Sequence, residues 1–313
     1  GVKILSALVI ENLNKTYSNG RKALVDISLS IDKGDFYAVL GANGAGKSTL
    51  IGIVTSLVNK SSGRVSVFGF DLDRQVDDVK KSIGLVPQEF NFNIFERVQH
   101  ILENQAGYYG VPPEESREKI ERYLKLLGLW EYRNEMARNL SGGYKRRLMI
   151  VRALVHSPKL LILDEPTAGV DVQLRKNIWS FLEELNKEGM TIILTSHYLE
   201  EVEYLCKNVA IINRGEIALK SSIKNLNHYL PTKTYIFSVD HSIDTKKIKE
   251  HDNDFHLKSI DRGTFEVTLS SKVSLNDVFS YLEEEKIKIT NVKEKGNFVE
   301  NVFVKLTKGD HAK

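Results

Sequence analysis

The chain has 313 residues, 42% of them hydrophobic and 27% charged. That length suits one large domain with a small one, or two medium ones, and the ordinary apolar fraction excludes a disordered or fibrous chain. The formal net charge of +3 is too small an excess to point to nucleic acid as the main partner.

Residues 2–10 read as a short strand, not as a charged-then-apolar signal segment. Nowhere does an apolar run approach the ~18 residues that span a bilayer. Val25, Ile27, Leu29 and Ile31 alternate with polar residues, the period of a strand with one wet face, and with residues 8–13 they predict an antiparallel β layer. The apolar run 36–40 predicts a buried strand. It leads into Gly41-Ala42-Asn43-Gly44-Ala45-Gly46-Lys47-Ser48-Thr49, a complete phosphate-binding loop that opens a helix over 48–56. Its glycines let backbone N–H groups turn toward a polyphosphate, Lys47 reaches the β- and γ-phosphates, and the Ser48 hydroxyl is placed for Mg2+.

Strands are predicted next at 64–68 and 83–86, the second ending at Pro87-Gln88. From 95 to about 128 the apolar spacing becomes helical, punctuated by Pro112-Pro113, and a further helix is predicted over 144–156. Before it stands Leu140-Ser141-Gly142-Gly143-Tyr144, a hydroxyl and backbone N–H groups at a helix start, suited to an anion. Ser is also a favoured helix cap, so this turn has an ordinary reading too. The apolar strand 159–163 runs into Asp164-Glu165-Pro166. Carboxylates at the C-terminal end of a parallel strand face the ligand crevice, where one can hold Mg2+ through water and the next can position or deprotonate an attacking water. Alone, the pair could equally be solvated acids.

An amphipathic helix (172–187), a buried strand (191–194), a helix (199–206) and a strand (209–212) complete an alternation that predicts a largely parallel, buried sheet. The single cysteine, Cys206, excludes an internal disulfide and suits a reducing compartment. Near residue 221, serines, asparagines and Pro231 mark a join. Beyond it the predicted order is strand 234–239, helix 245–251, strands 255–260 and 264–270 with a hairpin turn at Arg262-Gly263, helix 275–285, strand 288–292, helix 297–306. That is the split βαβ, ferredoxin-like order. Residues 225–313 carry 14 basic and 14 acidic residues, so this part offers no basic footprint for nucleic acid or lipid. His241, His251 and His256 are scattered and read as surface.

The loop, the Leu-Ser-Gly-Gly turn and the strand-acid motif, in that order, resemble the ATP-binding subunits of ABC transporters over about residues 7–220. The fold this implies is α/β: a P-loop NTPase core of ABC type with a mixed sheet, an antiparallel β subdomain and a helical subdomain (about 89–150). The core occupies 1–222, and a small α+β ferredoxin-like accessory domain occupies 223–313. The resemblance implies an ATPase using ATP and Mg2+, with Glu165 polarising water. Gln88 matches the Q-loop glutamine, Asp171 the D-loop, and His197 the switch histidine on the γ-phosphate. The metal set is Ser48, Gln88 and Asp164, the last through water. Tyr17 sits where the family stacks an aromatic on adenine, and also reads as a core aromatic. Ser141, Gly142 and Gly143, with Asp171, are expected to act in trans across an ATP-dependent homodimer. Tyr144 departs from the family's usual Gln at that position.

Asn91 to Phe95 lies where the family docks a helix of the membrane subunit. The stretches 144–147, 198–201 and 299–307 look like ATPases of ABC-2 type exporters, close to the YadG-like bacterial group. An integral-membrane ABC-2 permease is then the partner, and the cytoplasmic face of the inner membrane the location. The runner-up is an importer ATPase whose C-terminal domain senses substrate. A soluble ABC ATPase of translation or repair fits poorly, because the chain has one motif set and no heptad run.

Overall fold

The structure, a computed structural model, describes residues 6–229, 232–240, 255–261, 263–270, 273–285, 287–295 and 298–308. The chain forms two compact units, Gly1–Ile223 and Lys224–Lys313. The helix predicted over 245–251, Arg262 of the predicted hairpin turn, and His241 and His251 lie outside the described residues.

In the first unit, β1 (Ser6–Thr16) pairs antiparallel with β2 (Lys22–Asp32) and with β4 (Ser62–Val67), and β5 (Phe70–Asp71) closes a four-stranded sheet. The second sheet is built on β3 (Phe36–Gly41), β6 (Ile83–Val86), β7 (Leu160–Asp164), β8 (Thr191–Thr195), β9 (Asn208–Asn213) and β10 (Glu216–Ser222). Its order is β10-β9-β3-β8-β7-β6, parallel throughout except for the β9–β10 hairpin. Helix α1 (Lys47–Val54) lies between the sheets: Leu50, Ile53 and Val54 pack with Leu8, Leu24 and Ile27 from one and Ile162, Ile193 and Ile212 from the other. Burial of each such side chain contributes roughly 1.5–3 kcal/mol, so α1 is held by packing rather than by helix propensity.

Helices α3 (Val98–Tyr108), α4 (Pro113–Leu126) and α5 (Gly142–Leu154) form the helical part. Pro113 occupies the first turn of α4, where its missing N–H costs nothing. The short α2 (Val76–Ser82) and the hairpin strand β10 were not expected from the sequence. The β9–β10 turn is made by Arg214 (φ 50°) and Gly215 (φ 82°), so the chain doubles back before the join near 221. Two more helices, α6 (Val172–Lys187) and α7 (Leu199–Leu205), alternate with the parallel strands.

In the second unit, β11 (Thr232–Val239), β12 (Phe255–Ser259), β13 (Thr264–Ser270) and β14 (Ile289–Glu294) form one antiparallel sheet in the order β12-β13-β11-β14. Phe265, Val267 and Leu269 alternate onto one face of β13 and meet Val278, Tyr281 and Leu282 of α8 (Leu275–Glu284). Helix α9 (Phe298–Lys308) follows, with Val299 and Val302 buried.

The arrangement that matters for chemistry is at the carboxyl ends of β3, β8, β7 and β6, four neighbours in one sheet. The phosphate loop leaves β3, Gln88 follows β6, Asp164-Glu165 ends β7, and His197 follows β8. Ligand crevices of parallel sheets form at such ends.

Candidate active site

The turn from β3 into α1 needs its glycines. At Gly46 φ is 119°, and a Cβ there would lie 2.8 Å from the Ala23 carbonyl oxygen and the Leu24 Cδ2 atom. No side chain caps α1 and none of its first-turn residues is acidic, so its first N–H groups and dipole are open to an anion. The Lys47 ammonium is buried and donates to the carbonyls of Gly41 (2.6 Å) and Ala42 (3.2 Å). Burial lowers its pKa, and the charges of Glu165 and Asp164 oppose that shift. Gly41 and Gly46 are buried, whereas Asn43, Gly44 and Ser48 are exposed. Tyr17 is not a core aromatic: the residue is 37% exposed, its hydroxyl lies 3.2 Å from Thr49 Oγ1, and the Lys15 ammonium sits 4.9 Å from the ring centre.

Glu165 is the convergence point. Gln88 Nε2 donates to its Oε2 at 3.2 Å, and His197 Nε2 lies 2.6 Å from its Oε1. Its backbone φ is 51°, a left-handed conformation that is uncommon and costly for a non-glycine residue. The strained turn is pinned by the Glu165 N–H, which donates to the Thr195 carbonyl at 3.0 Å. The Thr195 hydroxyl in turn donates to Asp164 Oδ1 at 2.5 Å. A carboxylate flanked by an amide and an imidazole, at the same sheet end as a buried lysine, can orient a water for attack on a phosphoryl group whose charge the lysine and α1 stabilise.

The Ser141–Gly143 turn is elsewhere. Ser141 caps α5, accepting from the Tyr144 N–H at 3.4 Å, and Ser141 and Gly142 are exposed. Among the described residues, no hydrogen bond or ion pair joins 141–143 to 41–49. Asp171 caps α6 through a bond from the Leu174 N–H at 2.9 Å. That holds Leu174 Cδ2 2.3 Å from where a Cβ on Gly143 would stand, so the two turns are packed together and Gly143 has no room for a side chain. Tyr144 packs against Tyr132, with ring centres 4.5 Å apart, and the Arg147 guanidinium lies 4.8 Å from its ring.

Sequence reasoning missed Arg146. It is buried on α5 and donates to the carbonyls of Pro87 (3.1 Å) and Gln88 (2.9 Å), fastening the Gln88 loop to the helix that Ser141 starts. Burial lowers its pKa against the pull of Glu165 and Asp164. The basic cluster 145–147 was visible in the sequence, but not which of its members turns inward.

The ABC transporter family profile matches residues 24–168, which take in the loop, Gln88, Ser141–Gly143 and Asp164-Glu165. The chain is 41% identical over 211 residues to the linearmycin resistance ATP-binding protein LnrL of Bacillus subtilis, covering 67% of each. It is 35% identical to the Nod factor export ATP-binding protein I of Rhizobium etli, over 67% of this chain and 66% of that protein. It is 35% identical to the methionine import ATP-binding protein MetN of Clostridium acetobutylicum, over 69% of each. Among solved structures it resembles a dimeric ATP-binding cassette in a post-hydrolysis state bound to ADP and Pi, with TM-score 0.64 and 26% identity over 69% of this chain and 98% of that one. The sheet-end cluster, the phosphate loop and these relatives agree: the chain belongs to the ABC transporter family, as an ATP-binding and ATP-hydrolysing subunit.

Proposed function

We propose that this chain powers an ABC-2 type membrane exporter of the YadG-like kind, through ATP-driven pairing of two copies. Glu165 polarises the attacking water, His197 and Gln88 orient it against the γ-phosphate, and Lys47 with the backbone of 41–49 holds the phosphates. Tyr17 stacks on adenine. The exposed Ser48 hydroxyl and the half-buried Asp164 carboxylate, with Gln88 beside them, are hard oxygen donors that suit Mg2+, which would neutralise phosphate charge there. Few protein groups are needed, because Mg2+ takes most ligands from phosphate and water; no cluster of three or more metal-binding side chains occurs among the described residues.

The observation that carries the reading is the split between a complete Glu165–Gln88–His197 cluster and an exposed Ser141–Gly142 turn unconnected to it. A second copy placed head to tail brings Ser141, Gly143 and Asp171 to the first copy's ATP. The permease is a separate integral-membrane subunit of the ABC-2 type; no helix among the described residues is long and apolar enough to cross a membrane. A groove between α5, β6 and the Gln88 loop, lined by Leu57, Leu85, Asn91, Tyr108 and His156, suits the permease's docking helix. Phe90, Ile94 and Phe95 stand exposed in the Gln88 loop, an apolar surface that the docking helix would cover, and such a complex holds this chain on the cytoplasmic face of the inner membrane. The relative named for export supports the exporter, and the one named for methionine import keeps an importer as the second reading.

We assign the core to 1–222 and an accessory domain to 223–313. The order β12-β13-β11-β14, with α8 crossing between β13 and β14, supports a ferredoxin-like fold for the latter, as a dimerisation or stability module. Co-purification from native membranes in mild detergent tests the whole reading. One multi-span partner without an extracytoplasmic binding protein is the expected result. A binding protein in the set moves the reading to an importer, and ribosomes or DNA in place of any membrane protein overturn the transport role.

A further inference from the structure

Behind the Glu165–His197 pair sits a carboxylate with no contact to solvent. Glu201, on α7, is 0% exposed. Its Oε1 accepts from Trp179 Nε1 on α6 (2.8 Å) and from Thr167 Oγ1 (3.1 Å); its Oε2 accepts from Ser196 Oγ (2.6 Å). Thr167 is two residues after Glu165, and Ser196 is one before His197. The Ser196 oxygen also accepts from the Tyr198 N–H at 3.0 Å, closing the turn that carries His197. From α6, the Arg175 guanidinium stacks over the Tyr198 ring at 4.1 Å. A buried carboxylate is tolerated only when its lone pairs are taken, and here three donors take them. Burial pushes the Glu201 pKa up, while these bonds and the Arg175 charge pull it back.

We propose that Glu201 is a positioning residue for hydrolysis: by gripping Thr167 and Ser196 together it sets the reach of His197 to Glu165, and through Trp179 it ties both to the helix that Asp171 caps. The inference rests on the assignment of Glu165 and His197 to the hydrolytic step. It explains why the carboxylate must be acidic rather than merely polar. Trp179 can only donate, so in Glu201→Gln the amide oxygen stays with Trp179 and Thr167, and the NH2 group faces Ser196. The Ser196 oxygen has a second lone pair for that NH2 beside the Tyr198 N–H, but its hydroxyl loses the carboxylate acceptor and keeps only the Tyr198 carbonyl at 3.4 Å, so the charge-assisted bond that fastens the His197 turn to α7 is lost. Misplacing a reacting group by about 1 Å, even through a change far from the chemistry, can cost about 10²-fold in rate.

The test is steady-state ATP hydrolysis by the full chain as wild type, Glu201→Gln, Ser196→Ala, the double variant and Glu165→Gln. Glu201→Gln is expected to lose at least tenfold in kcat with KM for ATP within twofold, and Ser196→Ala to lose kcat in the same way. The double variant should be no slower than Glu201→Gln, since both cut one link. A folded Glu201→Gln with kcat within twofold of wild type overturns the proposal, as does a loss expressed in KM, or a double variant showing the product of the two losses. If Glu201→Gln fails to fold, Ser196→Ala decides alone, and normal turnover there overturns the proposal. Normal turnover in Glu165→Gln sinks the underlying assignment instead, so the two failures are told apart.

Discussion

Between Gly41 and Thr49 the chain is hemmed in by its own elements: Gly46 is pressed on Ala23 and Leu24, Gly41 on Ile212, and Lys47 is buried. Across the same sheet end, Glu165 has both oxygens occupied by Gln88 and His197. The Ser141–Gly143 turn, which is as rich in glycine, behaves differently. Its hydroxyl is spent on a long cap bond, its first two residues face solvent, and its tight contact is to Leu174 behind it. Glycine is used on one side to admit a ligand into a closed cradle, and on the other to let two turns pack so that their outer surface is presented as one. The first region is finished by folding; the second is supported by folding, and in the proposed function a second copy completes it.

The sharpest way to break that contrast is at Glu165. Glu165→Gln keeps the shape and the Gln88 and His197 neighbours but removes the proposed base, and turnover is expected to fall by roughly 10²–10⁴-fold. ATP binding, measured by nucleotide fluorescence titration, should be retained. Near-normal hydrolysis would mean the closed cluster is structural only. The next test sets the two regions against each other. Lys47→Ala removes a charged donor worth about 1.5–3 kcal/mol and should weaken ATP binding about ten- to a hundredfold. Ser141→Arg fills the exposed turn. Each homodimer should be inactive, yet a mixed dimer retains one intact shared site and should recover a fraction of wild-type turnover. With mixing proven by differential tags, zero recovery would place Ser141 and Lys47 in the same chain's site and abolish the distinction.

How far each region could be read from sequence follows from the range of its interactions. The phosphate loop and the acid-ended strand are contiguous, because backbone turn, dipole and side chains must all be adjacent to do their work. Their place at one sheet end follows from strand–helix alternation. Arg146 is separated by 59 and 58 residues from the Pro87 and Gln88 carbonyls it binds, and Glu201 by 34 and 5 from Thr167 and Ser196. Nothing in the local spacing marks which arginine or glutamate of its run turns inward. Helix α2 was missed because seven residues carry too little periodicity, its buried positions being only Val79 and Ser82. Tyr17 reads from sequence as an adenine-stacking or a core aromatic, because an aromatic at a strand end serves either.

The mildest test asks whether the contrast stops at the boundary between the two compact units. Helix α8 begins with a reciprocal cap: the Asp277 N–H donates to Ser274 Oγ (3.3 Å) and the Ser274 N–H donates to Asp277 Oδ2 (2.8 Å). Ser274→Ala should cost about 1 kcal/mol, seen as a small drop in the melting temperature of the full chain. The Ser274 bonds hold the Asp277 pKa below its ordinary 3.8. A depressed folded pKa stabilises above the unfolded value and is lost as the pH falls through the folded one, so the gap between wild type and Ser274→Ala should be full at neutral pH and shrink below about pH 4. ATP turnover should not move, because no residue of the Glu165 cluster, its arginine tether or its phosphate loop belongs to the second unit. If turnover falls along with the lost cap, the second unit feeds into hydrolysis, and the closed region is not finished by the first unit alone.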